Sequence, residues 1–329
     1  MFSRIIKAVI LQSSLTPSGG GAQLEIFDRD LKRIHRDRAA RQMRKDDPLQ
    51  VQVAECLLDR LEDCKRSFHT AVILGGAGEC VARRLAAGRA GIKEVIHIDS
   101  SAAMLERAAA RAEAHKAAGI DWPETHYVQA DEEYLPLQEH SADVIISCLG
   151  LHWVNDLPGA MTQCRRALKP DGLFLAAMFG GETLQELRIA CTLAEQEHEG
   201  GVSPRVSPLA QVRDAGNLLT RAGFNIPSVD ADDVTVHYRG AQELVEHLRT
   251  IGESNAVQQR RLTYRRRTAE AMYATYQSMF GSQDGSVPAT YEVIYMTGWS
   301  PHESQQQPAR RGSQTASFED LTRALNSGA

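Results

Sequence analysis

Residues 131–188 read DEEYLPLQEHSADVIISCLGLHWVNDLPGAMTQCRRALKPDGLFLAAMFGGETLQELR. An acidic pair is followed by a short apolar run, a polar and aromatic loop, a helical pattern, a Lys-Pro-Asp-Gly turn and a second apolar run. Apolar strands that alternate with helices predict a parallel α/β sheet. Sheets of this kind hold their ligands outside the carboxyl ends of the strands.

The same alternation begins at residue 69 and continues to the last apolar runs of the chain. We predict strands at 71–74, 94–98, 125–128, 143–147, 173–178, 234–238 and 291–299. The predicted fold class is therefore α/β, a doubly wound, seven-stranded Rossmann-like sheet with N-terminal helices and a helical insertion before the last strands. The predicted division is a presequence at 1–24, a basic helical segment at 25–68, the Rossmann-like core at 69–181, a segment at 182–300 that completes the same domain, and a polar tail at 301–329.

The composition is that of an ordinary globular protein, with 43% hydrophobic and 24% charged residues among 329. A formal charge of −5 gives no reason to expect nucleic acid as a partner. No run approaches the roughly 18 apolar residues that a membrane span needs. The six cysteines are scattered without a C-x-x-C pair, which favours small buried residues over disulfides or zinc ligands.

The first 45 residues contain two unusual segments. Residues 1–24 are basic, serine-containing and free of acids, which is typical of a mitochondrial transit peptide; an unstructured bacterial-type N-terminus is the alternative. Residues 29–45 hold eight Lys or Arg. Such a run is usually a solvated helix face, and the alternative is a docking surface for an acidic partner or an anionic membrane.

The loop after the first predicted strand reads ILGGAGE over residues 73–79. It lacks the G-x-G-x-x-G spacing that a dinucleotide needs, so a nicotinamide or flavin ligand is not expected. Methyltransferase-type sheets use acidic-x-G-x-G-x-G here, and only Gly75 keeps its place in that pattern. Ile73, Ala77 and Glu79 depart from it, while Gly76 supplies flexibility one residue out of register.

Two acidic positions fit a nucleoside better than this loop does. Asp99 ends the second predicted strand, 25 residues after Leu74, near the spacing at which an acid receives ribose hydroxyls. Asp131 and Glu132 follow the third strand, where an acid can address an adenine. The alternative for Asp99 is a simple helix cap.

With these residues assembled, the chain resembles a known family over about residues 24–318. The segments that carry the resemblance are IFDRDLKR, ADEEYLP, LHWVNDLP, LKPDG, AMFGGETLQELR, IGESN, GSVPATYEVIYMTGW and HESQ. They resemble the mitochondrial complex I assembly factors that have a class I methyltransferase fold and are described as arginine hydroxylases. A more distant similarity is to the malonyl-carrier-protein O-methyltransferases of bacterial biotin synthesis.

The resemblance implies a protein on the matrix side of the mitochondrial inner membrane, in peripheral contact with it. It implies hydroxylation of an arginine in an iron–sulfur subunit of the peripheral arm of complex I, with that subunit and other assembly factors as partners. It also implies S-adenosylmethionine as cofactor, held by Gly75, Gly76, Asp99, Asp131 and Glu132. Because the glycine loop departs from the pattern, a non-catalytic assembly chaperone and an S-adenosylmethionine-dependent methyltransferase stay open as alternatives.

The LHWVND loop supplies the candidate catalytic residues. His152 could act as base or ligand, Trp153 could stack on a planar guanidinium, and Asn155 could anchor a polar group. The alternative is that Trp153 packs against the next helix and that Asn155 or Asp156 caps it. Residues 27–30 could close over the site as a lid, or begin a helix with Asp28 as its cap.

The sequence identifies no oxidant for a hydroxylation. A non-haem iron site needs two histidines and one carboxylate. Residues 97–99 have H-x-D spacing, which we attribute to chance because Asp99 is the ribose candidate and this sheet is the wrong scaffold. We therefore predict no metal site.

Overall fold

Seven strands form one sheet within the part of the chain that the computed structural model describes, residues 25–261, 263–306, 312–313 and 323. The strands are β1 Thr70–Leu74, β2 Glu94–Asp99, β3 Glu124–Gln129, β4 Ala142–Cys148, β5 Leu168–Phe179, β6 Asn225–Tyr238 and β7 Val287–Trp299. The helices are α1 Arg29–Gln42, α2 Pro48–Glu62, α3 Gly78–Arg84, α4 Ala102–Ala117, α5 Leu157–Ala167, α6 Gln185–Glu199, α7 Val212–Arg221, α8 Ala241–Thr250 and α9 Arg266–Phe280. The predicted presequence at 1–24 lies outside the described residues.

The strand order is β3-β2-β1-β4-β5-β7-β6, which confirms the predicted seven-stranded α/β fold. β1 to β5 are parallel, and β7 is antiparallel to both of its neighbours, β5 and β6. The order reverses between β1 and β4, so the loops after these two strands border the crevice where such sheets bind ligands.

Apolar side chains alternate between the two faces of the sheet, as the two-residue period of a β-strand requires. Ile73 of β1 and Val144 of β4 belong to the core that α2, α3, α6, α8 and α9 cover. Val72 and Ile145, one residue away in each strand, belong to the core under α5 and α7. Burial on both faces explains why these strands read as continuous apolar runs.

Several helices begin at a side chain that accepts a hydrogen bond from the first turn. Asp28 caps α1, Asp47 caps α2, Ser101 caps α4 and Asp156 caps α5. Such caps satisfy amide groups that have no partner within the helix. None of the described helices combines the length and hydropathy that crossing a bilayer requires.

Three strands begin well before their predicted starts, and β7 begins at Val287 rather than at residue 291. β6 starts at Asn225 rather than at residue 234, because its polar first half is held by pairing with β7 and not by burial. β5 begins at Leu168, before the Lys-Pro-Asp-Gly segment that we predicted as a turn, and Asp171 within it has a positive φ of 61°. The turn conformation is therefore local, and the strand continues through it.

Candidate functional site

The glycine loop after β1 is pressed against its neighbours. Gly75 and Gly76 both have left-handed backbone, with φ of 49° and 53°. A Cβ at Gly75 would lie 2.1 Å from Glu132 Oε1, and one at Gly76 would lie 2.0 Å from the carbonyl oxygen of Cys148. Only glycine fits these two positions, because it tolerates positive φ and has no side chain. The loop thus leaves little free space between the ends of β1, β3 and β4.

Glu79, which replaces a glycine of the methyltransferase pattern, is neutralised within the protein. Its carboxylate accepts a hydrogen bond of 2.7 Å from Nε of Arg107 and forms an ion pair with Arg111. Both arginines belong to α4, beyond β2. An acid at the start of α3 is unfavourable for an anionic ligand, and here it instead ties the loop to a neighbouring helix.

Asp99 lies at the end of β2, where we expected it to receive ribose hydroxyls. It is 1% exposed, and its carboxylate forms a two-pronged ion pair with Arg36 of α1. The backbone N–H of Ser101 donates a further hydrogen bond of 2.8 Å to it. Arg36 also donates to the carbonyl oxygen of Gly76 at 3.0 Å. The carboxylate of Asp99 is therefore engaged by the protein's own side chain.

The acidic pair after β3 is engaged in the same way. Arg29 donates to Asp131 at 2.7 and 3.2 Å, and its guanidinium also pairs with Glu132. Burial raises the pKa of Glu132, while Arg29 opposes that shift. Arg29 additionally donates to the carbonyl oxygen of Trp153 at 3.0 Å, so it joins the loops after β3 and β4.

The basic run on α1 was predicted to be a solvated face or a docking surface, and for three of its members this is wrong. Arg29, Lys32 and Arg36 stand at i, i+3 and i+7, which places them on one face of the helix. That face turns inward, and Lys32 and Arg36 are each 4% exposed. Buried acids at the strand ends explain why such basic residues are tolerated there.

Lys32 meets the candidate catalytic loop through Glu253, a residue that our sequence reasoning did not identify. Lys32 Nζ lies 3.0 Å from Glu253 Oε1, and Oε2 of the same carboxylate lies 2.9 Å from His152 Nε2. Trp153 Nε1 donates to Oε2 at 2.7 Å. Glu253 lies within IGESN, one of the segments that carry the family resemblance, and this was the signal in the sequence that could have identified it.

These buried groups shift each other's ionisation. Burial acts to raise the pKa of Glu253, but Lys32 and His152 outweigh it and bring that pKa to about 2. Burial lowers the pKa of Lys32 to about 8 and also lowers the pKa of His152, against the opposing effect of Glu253. The carboxylate is therefore ionised and His152 is neutral near pH 7.

The two other predicted residues of the loop contact the chain itself. Lys32 Nζ lies 3.8 Å from the centroid of the Trp153 ring, and this ring packs edge-on against Phe27. Asn155 Oδ1 accepts from the backbone N–H groups of Ile26 and Phe27, at 2.9 and 2.8 Å. Asn155 thus anchors the segment that leads into α1. Asp156 caps α5, as the alternative interpretation expected.

Open space lies beside Glu253. The residues that line a cavity of about 380 Å³ include His152, Trp153, Glu253, Tyr264, Tyr273 and Tyr291. A second cavity of about 680 Å³ shares four lining residues with it, namely Cys191, Arg205, Val206 and Ser207. Volumes of this order accommodate a side chain or a short peptide segment.

The cavity beside the glycine loop and Asp99 is much smaller. The cavity bordered by Gly76, Ala77 and Asp99 measures about 20 Å³, against the 300 Å³ or more of typical ligand sites. Arg36 pairs with the ribose candidate Asp99, and Arg29 pairs with the adenine candidates. In this arrangement, the acidic groups expected to hold S-adenosylmethionine are therefore already paired within the protein. Across the described ranges, His, Cys, Asp and Glu side chains also do not gather in groups of three that could hold a metal ion.

The sheet order and the crevice between β1 and β4 define a class I methyltransferase-fold protein. A methyltransferase domain model matches residues 74–176. Two solved structures are similar in fold: a putative methyltransferase from Bacillus halodurans (TM-score 0.53, 16% identity, 76% of this chain and 100% of that one) and the YcgJ protein of Bacillus subtilis (TM-score 0.51, 16% identity, 75% and 99%).

Sequence similarity narrows this class to a family. The chain is 44% identical over 318 residues to the human arginine-hydroxylase NDUFAF5, mitochondrial, covering 95% of this chain and 89% of that protein. It is 42% identical over 306 residues to the zebrafish protein of the same name, covering 91% and 90%. A malonyl-[acyl-carrier protein] O-methyltransferase of Methylovorus is 36% identical, over 77% and 82%. The chain belongs to the arginine-hydroxylase NDUFAF5 family.

Proposed function

We propose that this protein is an assembly factor for mitochondrial respiratory complex I that hydroxylates an arginine of an iron–sulfur subunit in the peripheral arm. The observation that carries the proposal is 44% identity to an arginine hydroxylase over 95% of the chain. The partners would be that subunit and other assembly factors, and the location would be the matrix side of the inner membrane.

The cavity beside Glu253 supports an arginine side chain as the substrate. A guanidinium is planar, binds carboxylates and stacks on aromatic rings. Tyr264, Tyr273 and Tyr291 line the cavity and offer rings, and Glu253 adds a negative charge at its border although its oxygens already contact Lys32, His152 and Trp153. In this arrangement Lys32, His152 and Trp153 hold the carboxylate in place. The residues of this chain would bind and orient the arginine and would exclude water from it.

The basic residues near the start of α9 support a peripheral contact with the inner membrane. Arg261, Arg265, Arg266 and Arg267 are exposed, and they would face anionic lipid headgroups. Because Arg265 and Arg261 also lie near Glu199, at 3.6 and 3.7 Å, their charge is only partly available. A vesicle of zwitterionic lipid alone would be expected to bind the protein less well than an anionic one.

A second candidate function is a non-catalytic assembly chaperone on the same fold. The closed cofactor position favours it, because the groups expected to bind S-adenosylmethionine are paired with α1. The same observation counts against a methyltransferase, although the similarity to the malonyl-carrier-protein enzyme keeps that activity as an outcome to be measured.

Mass spectrometry of complex I subunits tests the proposal. Cells of the source organism that lack this protein should contain the iron–sulfur subunit with its target arginine lacking the added oxygen atom. Expression of the natural chain should restore that oxygen. Compared at equal abundance of folded protein, a Glu253→Gln variant should restore it poorly, whereas a Glu246→Gln variant, at an exposed position of α8, should restore it fully.

An arginine that stays hydroxylated in the deleted cells would exclude the enzymatic function. The chaperone would then be supported if complex I assembly still fails in those cells. Transfer of a methyl group from S-adenosylmethionine to malonyl carrier protein by the purified chain would instead support the methyltransferase.

A further inference from the structure

The inward face of α1 lies at the acidic strand ends that this fold offers to a nucleoside. Arg36 pairs with Asp99 after β2, and Arg29 pairs with Asp131 and Glu132 after β3. These are the groups that would otherwise contact ribose and adenine. One helix therefore meets both halves of the expected nucleoside site.

These contacts are shielded from water while α1 is in place. Asp99 and Glu132 are 1% and 4% exposed, and Arg36 is 4% exposed. A buried charge that loses its partner destabilises a protein strongly. A movement of α1 away from the sheet would leave both acids without a counter-charge, and it would also separate Lys32 from Glu253.

The residues around α1 and the glycine loop are also closely packed. Ala39 of α1 packs closely on Gly252, since a Cβ added at Gly252 would lie 3.3 Å from the Cβ of Ala39. Ala39 and Ala40 also share a small core with Met104 of α4. Gly75 is in contact with Glu132, while Glu79 is held by two arginines of α4. Three separate groups of contacts thus fix the helix and the loop in this arrangement.

We infer that α1 is a built-in replacement for the nucleoside ligand, with Arg29 and Arg36 permanently satisfying the acids that S-adenosylmethionine would contact in other proteins of this fold. The folded state then needs no nucleoside for its stability. This stability is a property of the chain alone, whereas arginine hydroxylation is measured on another protein by mass spectrometry.

Thermal unfolding of the full chain tests this inference. Arg36→Ala should lower the melting temperature by roughly ten degrees, because it leaves Asp99 buried without a partner. The matched control Arg41→Ala, at an exposed position of the same helix, should lower it by about one degree or less. The double variant Arg36→Met with Asp99→Asn should recover most of the loss, since neither charge is then unpaired. This double variant also serves if Arg36→Ala fails to fold.

S-adenosylmethionine is then added to the natural chain and to Arg36→Ala. We expect no rise in the melting temperature of either protein. A rise for the natural chain would overturn the inference, because the ligand would bind with α1 in place. A rise for Arg36→Ala alone would also overturn it, since α1 would then be a displaceable lid. Equal melting temperatures for Arg36→Ala and Arg41→Ala would show that the ion pair does not hold the helix.

Discussion

Glu253 is the buried carboxylate on which Lys32, His152 and Trp153 converge. Its position could not be predicted from the sequence, because it lies 100 residues from Trp153 in the chain and follows a helix rather than a core strand. Trp153 and His152 could be singled out by the loop in which they stand. Their partners depend on how α8 returns to the sheet, which no local pattern encodes.

Replacement of Glu253 by glutamine should destabilise the fold. The amide keeps the shape of the side chain but leaves Lys32 buried without a counter-charge, which we expect to cost about 3 kcal/mol or more. The matched control is Glu246→Gln at an exposed position of α8. Urea denaturation measures both variants, and equal free energies of unfolding for the two would contradict the role given to Glu253.

His97 should make stability depend on pH. Burial lowers the pKa of its imidazole from 6.5 to about 4, with Arg36 reinforcing the shift and Asp99 opposing it. The unfolded chain takes up the proton first, so stability is full above pH 6.5 and falls as the pH decreases towards 4. The loss from this group should be on the order of 3 kcal/mol.

Denaturation curves between these pH values, recorded for the natural chain and for His97→Gln, measure how steeply the free energy of unfolding depends on pH. The variant should lose less stability on acidification. A His237→Gln control, at an exposed position, should keep the natural slope. If His97→Gln also keeps the natural slope, the buried imidazole is not the group that titrates.

At the scale of the element, α1 shows what a charge pattern can and cannot predict. The helix and its Asp28 cap follow from the sequence, and so does the single face that Arg29, Lys32 and Arg36 share. The direction of that face does not, because basic helical residues usually point to solvent. Here the face points inward because it pairs with Asp99 and Glu132. How close these acids lie to α1 depends on the folding of the sheet and not on the sequence of the helix.

The loop between β1 and α3 should be intolerant of a side chain. Gly76→Ala would bring Cβ to 2.0 Å from the carbonyl oxygen of Cys148 at a φ of 53°, and we expect it to cost roughly 3 kcal/mol. Gly201→Ala is the control, because its nearest neighbour is the tip of the Arg261 side chain at 3.9 Å. Chemical denaturation measures the free energy of unfolding of both variants. A Gly76→Ala variant as stable as the control would contradict the close contact between this loop and β4.

At the scale of the whole molecule, the fold could be predicted because its core strands are apolar runs separated by helices. The sheet edge was less predictable, since β6 is polar and exists through its ladder with β7. The division into a core at 69–181 and a completing segment at 182–300 stays a prediction. Its physical basis is that β7, from the second segment, pairs directly with β5 of the first.

That pairing predicts a single unfolding transition. Leu57→Ala on α2 and Leu219→Ala on α7 remove fully buried side chains from opposite faces of the sheet. Each should cost roughly 2–5 kcal/mol and should shift the entire calorimetric transition. Two transitions, with each variant moving only one of them, would instead show that the segments fold as separate domains.

Isothermal titration of the natural chain with S-adenosylmethionine tests the central claim, that α1 and not a nucleoside occupies the acidic strand ends, most directly. We predict no saturable heat, because Asp99, Asp131 and Glu132 are already paired with Arg36 and Arg29. Saturable one-to-one heat that disappears in an Asp99→Asn variant would contradict the claim.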